Sequence, residues 1–179
     1  MKLAAFFSGG KDSTYAIYDA KKSGHEVVVL ITTQPKSDES HLLHFPNIAQ
    51  TKIQCNAMNI PQIIQSIDNI QSDTEELVLD ELIKTAKKTY NFEGIVHGGI
   101  LSEYQRDIFK SLCKKNNLML ISPIWQKNSS EYMKELLENN FEFIISSVSS
   151  GGLDETWLGK TIGSLELQEL ERLSKKFSF

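Results

Sequence analysis

Six consecutive residues near the N-terminus, Ser8-Gly9-Gly10-Lys11-Asp12-Ser13, gather the parts of a phosphate site into one short loop. They lie between an apolar run, Leu3 to Phe7, and a helical pattern that begins near Thr14. A buried strand that ends in two glycines and opens a helix brings backbone N–H groups and the positive end of a helix dipole to one point, which suits an anion. Gly9 and Gly10 allow backbone angles closed to other residues, Ser8 and Ser13 contribute hydroxyls, and Lys11 adds a cation. Asp12 would be repelled by phosphates unless a divalent cation bridged them, so it reads as a Mg²⁺ partner. The spacing fits neither G-x-x-x-x-G-K-[ST] nor G-x-G-x-x-G, which excludes a Walker loop and a dinucleotide fingerprint.

The elements that must position this loop follow from hydrophobic periodicity. Strands are expected at Leu3 to Phe7, Glu26 to Thr32, Gln62 to Ser66, Gly94 to His97, Leu118 to Ser122 and Phe141 to Ser147. Helices are expected at Ser13 to Ser23, Ile48 to Met58, Thr74 to Asn91, Glu103 to Asn116, Ser129 to Asn139 and Ser164 to Phe177. Gly24 marks the stop of the first helix, Asp73-Thr74 the start of the long one, and Ser129 an N-cap. Alternating strands and helices specify an α/β fold, a doubly wound parallel sheet covered by helices. Ligands bind such sheets outside the carboxyl ends of the strands. Gly98-Gly99, after the fourth strand, therefore reaches the edge that carries the phosphate loop. So does the long irregular stretch from Thr33 to Asn47, where His44 and Asn47 are candidates for contacts to adenine or ribose.

A chain of 179 residues is long enough for one domain with a full core. Its net charge of -4 supplies no general field toward nucleic acid, and the pairs Lys87-Lys88, Lys114-Lys115 and Lys175-Lys176 read as solvated helix faces. Cys55 and Cys113 lack C-x-x-C spacing, which argues against a zinc site, a redox pair or a disulfide scaffold. No signal-type leader and no membrane-spanning apolar segment is evident, so a cytoplasmic location is expected. His97, at a buried strand end, reads as a hydrogen-bonded core histidine, and Trp157 as a packing anchor.

Ser8 to Ser13 resembles the PP-loop of the ATP pyrophosphatases, which cleave ATP between its α and β phosphates. Beyond it, His44-Phe45-Pro46-Asn47, Gly98 to Arg106 (GGILSEYQR), Pro123-Ile124-Trp125 and Gly152 to Gly159 (GLDETWLG) resemble the diphthine–ammonia ligases, in that family's order and spacing. Family members usually carry Gly-Ala-Ile where this chain has Gly98-Gly99-Ile100, and often Asp where it has Glu103. They also continue past the equivalent of Leu173 to Phe177 into a glycine- and glutamate-rich segment. The expectation is thus a single PP-loop domain over 1–179 that lacks that segment.

The resemblance implies a Rossmann-like adenine nucleotide alpha hydrolase fold, the cofactors ATP and Mg²⁺, and amidation of diphthine on elongation factor 2 with ammonium through an acyl adenylate. Ser8, Gly9, Gly10, Lys11, Asp12, Ser13, His44, Asn47, Gly98, Gly99 and Ser102 would then hold the nucleotide. Lys11, Asp12, Glu103, Arg106, Asp154 and Glu155 would act in catalysis, with Asp12 on the metal. From the residues alone, Arg106 could equally pair with Glu103 or Asp107 on a solvated face, and Asp154 could cap a short helical turn. A PP-loop enzyme that modifies tRNA and a non-catalytic ATP- or AMP-binding module remain open beside the ligase.

Overall fold

Leu3, Ala4, Ala5 and Phe6 point alternately to two apolar layers, and that alternation builds the centre of a sheet. In the computed structural model of the chain, the described residues are 1–35, 48–67 and 72–179. The elements run β1 (Lys2–Phe6), α1 (Lys11–Lys22), β2 (Glu26–Pro35), α2 (Ile48–Met58), β3 (Gln62–Ile67), α3 (Ser72–Tyr90), β4 (Gly94–Val96), α4 (Glu103–Lys115), β5 (Met119–Ile121), α5 (Ser129–Glu138) and α6 (Ser164–Phe177). Among them the strands form one parallel sheet in the order β3-β2-β1-β4-β5. This is the doubly wound order expected from the sequence, and its strand order reverses between β1 and β4.

One face of the sheet presents Ala4, Phe6, Val29, Ile31 and Ile95 to α3 and α4, packed with Leu79, Leu82, Ile83, Phe109 and Leu112. The other presents Leu3, Ala5, Phe7, Leu30 and Val96 to α1 and α2, packed with Ala16, Ile17 and Cys55. Each large aliphatic or aromatic side chain taken out of water contributes about 1.5–3 kcal/mol, so the two layers supply the main drive to form the sheet. A register shift between Leu3 and Ala4 places Val27 and Val29 opposite consecutive residues of β1. Gly94 packs on the carbonyl of Met119, where a Cβ would stand 2.9 Å away, so β4 and β5 approach closely.

α3 and α4 are held together by a buried carboxylate. Asp80 takes Lys115 at 2.7 Å, Lys84 at 2.8 Å and the Asn116 amide at 2.7 Å. Burial alone would raise its pKa, but these hydrogen bonds outweigh burial and keep the group ionised well below the usual carboxylate range.

The chain divides into two compact units, Met1–Gln126 and Lys127–Phe179, where the sequence alone suggests one domain over 1–179. The second unit gathers α5, α6 and a 3-10 turn, Glu155–Trp157, around Trp157, Ile162, Leu167 and Leu173. The strand expected from Phe141 to Ser147 does not form. Only Ile144 and Ile145 make single bridges there, to Thr161 and Leu158. The alternation that suggested it is genuine, since Phe143 and Ile145 turn inward on Trp157. An extended segment becomes a strand only when a neighbour offers a continuous ladder, and none runs alongside. The N-cap of α5 is Asn128 rather than Ser129; its side chain accepts from the N–H groups of Ser130 and Glu131.

Candidate active site

The loop after β1 is shaped by its own side chains and by α2. The Ser13 hydroxyl donates to the Gly10 carbonyl at 3.1 Å and lies 3.3 Å from the Ser8 hydroxyl, which draws the loop into a tight bend. Gly9 adopts φ +78°, and a Cβ there would stand 2.6 Å from Gln54 Oε1. The Gln54 amide instead donates to the Gly9 carbonyl at 3.0 Å, so glycine at 9 is required twice, by angle and by space. Gly10 is the N-cap of α1, and no side chain caps that end. The first N–H groups of α1 therefore face the bend as donors, at the positive end of the helix dipole.

Lys11 and Asp12 stand beside this cradle as an ion pair, with Lys11 Nζ 2.8 and 3.0 Å from the two carboxylate oxygens. Both side chains are about one-third exposed. A pair this open is weakly held, and a phosphate could take the lysine while a metal ion took the carboxylate.

The far wall comes from the end of β4, across the point where the strand order reverses. A Cβ on Gly98 would fall 2.5 Å from the Asp12 carbonyl and 2.6 Å from the Ser13 nitrogen. The bare backbone of Gly98 thus lies directly on the first turn of α1. Between the two walls is a cleft of about 160 Å³ whose lining includes Ser8, Gly10, Asp12, Ser13, Gly98 and Gly99. Phe6, Ile31, Leu79 and Phe109 form its apolar side, and Thr33, His97 and Gln105 add polar groups.

His97 is almost fully buried at this junction. Its Nδ1 accepts from the Gly99 N–H at 3.0 Å, and its Nε2 lies 2.7 Å from the Ser122 hydroxyl. Nδ1 is therefore the unprotonated nitrogen, and Nε2–H donates to Ser122. Burial, aided by the nearby charge of Arg106, lowers the pKa of the ring to about 4. Between the ordinary value of 6.5 and about 4, the unfolded chain binds a proton here that the folded chain refuses. Stability is accordingly full above pH 6.5 and falls on acidification, by about 3 kcal/mol once pH 4 is reached. Thermal unfolding followed from pH 7 to pH 4 checks this, and His97→Gln should flatten the slope. An equal slope in the variant would remove His97 as its source.

Comparison with known proteins decides the family. Residues 1–120 match the family model for the diphthamide synthase N-terminal domain, and residues 128–179 match that for the C-terminal domain. The chain belongs to the diphthine–ammonia ligase family. A diphthine–ammonia ligase of Rattus norvegicus is 34% identical over 195 residues, covering 99% of this chain and 73% of that protein. One of Homo sapiens is 33% identical with the same coverage. Among solved structures, a predicted subunit of tRNA methyltransferase from Methanocaldococcus jannaschii aligns at a TM-score of 0.47 and 16% identity, over 98% of this chain and 88% of that one. The seam between the two diphthamide synthase models falls where the two compact units divide.

Within this diphthine–ammonia ligase chain, the remaining site candidates are placed as follows. Ser102 caps α4, accepting from the Gln105 N–H at 3.3 Å, which ties it to the helix start. Glu103 is exposed in the first turn of α4. Arg106 lies with its guanidinium carbon 4.6 Å above the Trp125 ring, and its Nε is buried without a hydrogen-bond partner. It lines a second recess with Lys110, Lys114 and Ser122, whereas its neighbour Gln105 lines the phosphate cleft. Asp154 caps the 3-10 turn, accepting from the Thr156 N–H at 3.0 Å, and the Thr156 hydrogen bonds lower its pKa. Glu155 is exposed on that turn, and both acids belong to the second unit. Gly152, at φ +83°, lies against the Phe177 ring, which anchors the backbone before them. His44 and Asn47 lie outside the described residues.

Sequence reasoning overlooked Gln54, Thr33 and Glu75. Their roles depend on contacts between distant segments, for which no local motif exists. Among the described residues no cluster of three His, Cys, Asp or Glu side chains could hold a metal ion. A lone carboxylate beside a phosphate cradle suits Mg²⁺, which is commonly bound by one or two carboxylates together with substrate phosphates. Among the described residues no helix is long and apolar enough to cross a membrane.

Proposed function

We propose that this chain amidates diphthine on elongation factor 2 to diphthamide in the cytoplasm, using ATP and ammonium, and releases AMP and pyrophosphate. The observation that carries the reading is the uncapped start of α1 in the Ser8–Ser13 bend, closed from behind by Gly98. Ammonia cannot displace oxide from a carboxylate. Joining the carboxylate to the α phosphate of ATP gives an acyl adenylate, from which AMP departs readily.

During that transfer negative charge grows on the departing pyrophosphate. The N–H groups of α1, the Ser8 and Ser13 hydroxyls and Lys11 are arranged to receive it. Asp12 would hold Mg²⁺, whose charge, when bound, offsets that of the phosphates. Ser102, Glu103 and Arg106 would lie toward the carboxylate to be activated, with Arg106 as its clamp, and Asp154 and Glu155 would orient the attacking nitrogen. Sulfur transfer to a tRNA base is disfavoured by the thiols. Both are buried, and burial pushes Cys113 up to about 12, so neither is a nucleophilic thiolate at neutral pH.

Product analysis with Mg-ATP, ammonium and diphthine-bearing elongation factor 2 tests the proposal. AMP and pyrophosphate should appear only in the complete mixture. ATP that is bound but never cleaved would replace the ligase with a binding module.

A further inference from the structure

Glu75, in the first turn of α3, is 1% exposed, and its Oε1 has no hydrogen-bond partner. A carboxylate in that situation costs several kcal/mol, and the partner that relieves it is commonly a ligand. The position is informative. Glu75, Leu79, Leu82, Ile83 and Ala86 are the buried stripe of α3, spaced as one helical face turned to the sheet. Leu79 lines the phosphate cleft. Glu75 precedes it by four residues, about 6 Å along the axis, toward the carboxyl edge of the sheet where ligands enter.

The charge balance at that spot selects the ligand. The wall shared with Leu79 is apolar, formed by Phe6, Ile31 and Phe109. Lys11 is paired with Asp12, His97 is neutral, and Arg106 lies over Trp125. Among the described residues Glu75 has no ion pair. A hydroxyl could donate a hydrogen bond but would leave the negative charge uncompensated. A divalent ion calls for more oxygen ligands, and no acidic cluster is present among the described residues. A monovalent cation with N–H donors meets both requirements.

We infer that Glu75 is the ammonium-binding residue of this cleft, an assignment that rests on the amidation proposed above. It gives the nitrogen substrate a site of its own, on the α3 wall and apart from the phosphate cradle.

The test has two arms. In the first, thermal unfolding of the whole chain is followed in ammonium chloride and in sodium chloride at equal ionic strength. Wild type should gain about 5 °C at a hundredfold excess over the dissociation constant, and Glu75→Gln, of the same shape without the charge, should gain nothing. An equal gain in the variant, no gain in wild type, or the same gain with potassium would overturn the assignment. In the second arm, Glu75→Gln should raise the ammonium KM ten- to a hundredfold, roughly, with the ATP KM unchanged. A raised ATP KM with unchanged ammonium KM would overturn it in favour of nucleoside recognition. A wild type that is stabilised by ammonium but releases no pyrophosphate would refute the amidation reading and uphold the cation site.

Discussion

Asp12→Ala should release pyrophosphate at about one-hundredth of the wild-type rate or less, while binding ATP almost as well. The split follows from the geometry of the loop. Asp12 spends the ligand-free state on Lys11, 2.8 Å away, so its removal frees a cation for the phosphates and offsets the lost metal contact in the ground state. The offset does not extend to the transition state, where charge on the leaving group is greatest and loss of one well-placed stabilising group typically costs 10²–10³ in rate. The fold should survive. The residue is one-third exposed, and its favourable place at the N-terminal turn of α1 contributes only about 0.3–1 kcal/mol. Nucleotide affinity by calorimetry and pyrophosphate release at saturating Mg-ATP separate the two effects. Asp12→Asn, which keeps the shape, should behave alike, and an undiminished rate in either variant would take the metal role away from this residue.

Gly98→Ala should be the most damaging single methyl group that can be added to the first unit. It would place a carbon 2.5 Å from the backbone of Asp12, and backbone cannot rotate aside as a side chain can. Either β4 or the first turn of α1 must move. Overpacking of this kind costs typically 1–3 kcal/mol and here should reach about 3 or more, lowering the melting temperature by roughly 6–12 °C. Because the displaced turn carries the phosphate donors, nucleotide affinity should fall with it. Gly24→Ala provides the contrast. Gly24 has φ +82° but open space around it, so that variant registers backbone strain alone, about 1–2 kcal/mol, with affinity intact. Similar losses in both variants would mean that the close contact at Gly98 carries no weight.

Much of this arrangement was legible in the sequence because it is local. A strand that ends in Ser-Gly-Gly and opens a helix declares a phosphate loop within six residues, and the alternation of apolar runs locates all five strands of the sheet. The misreadings share a different cause. Phe141 to Ser147 has the period of a strand, but a ladder depends on a neighbour that period does not reveal. Gly98 reads as a residue kept bare for a ligand, and only the tertiary structure shows a helix backbone pressed against it. Glu75 sits among acidic residues in the first turn of α3, where carboxylates complement the helix dipole as a matter of course, so its burial leaves no trace in the local pattern.

The contact between Gly98 and the start of α1 also bears on how the site comes into being. Its two halves are more than eighty residues apart in the chain, and β1 pairs with β4 only after β2 and β3 have been laid down on its other side. During synthesis the phosphate loop emerges among the first residues, yet it has no back wall until the chain has passed residue 98. Binding competence is thus acquired late and all at once, when a long-range closure clicks shut. A nucleotide that prefers the closed cleft would then act as a clasp on the nascent domain, drawing its last central strand pair together.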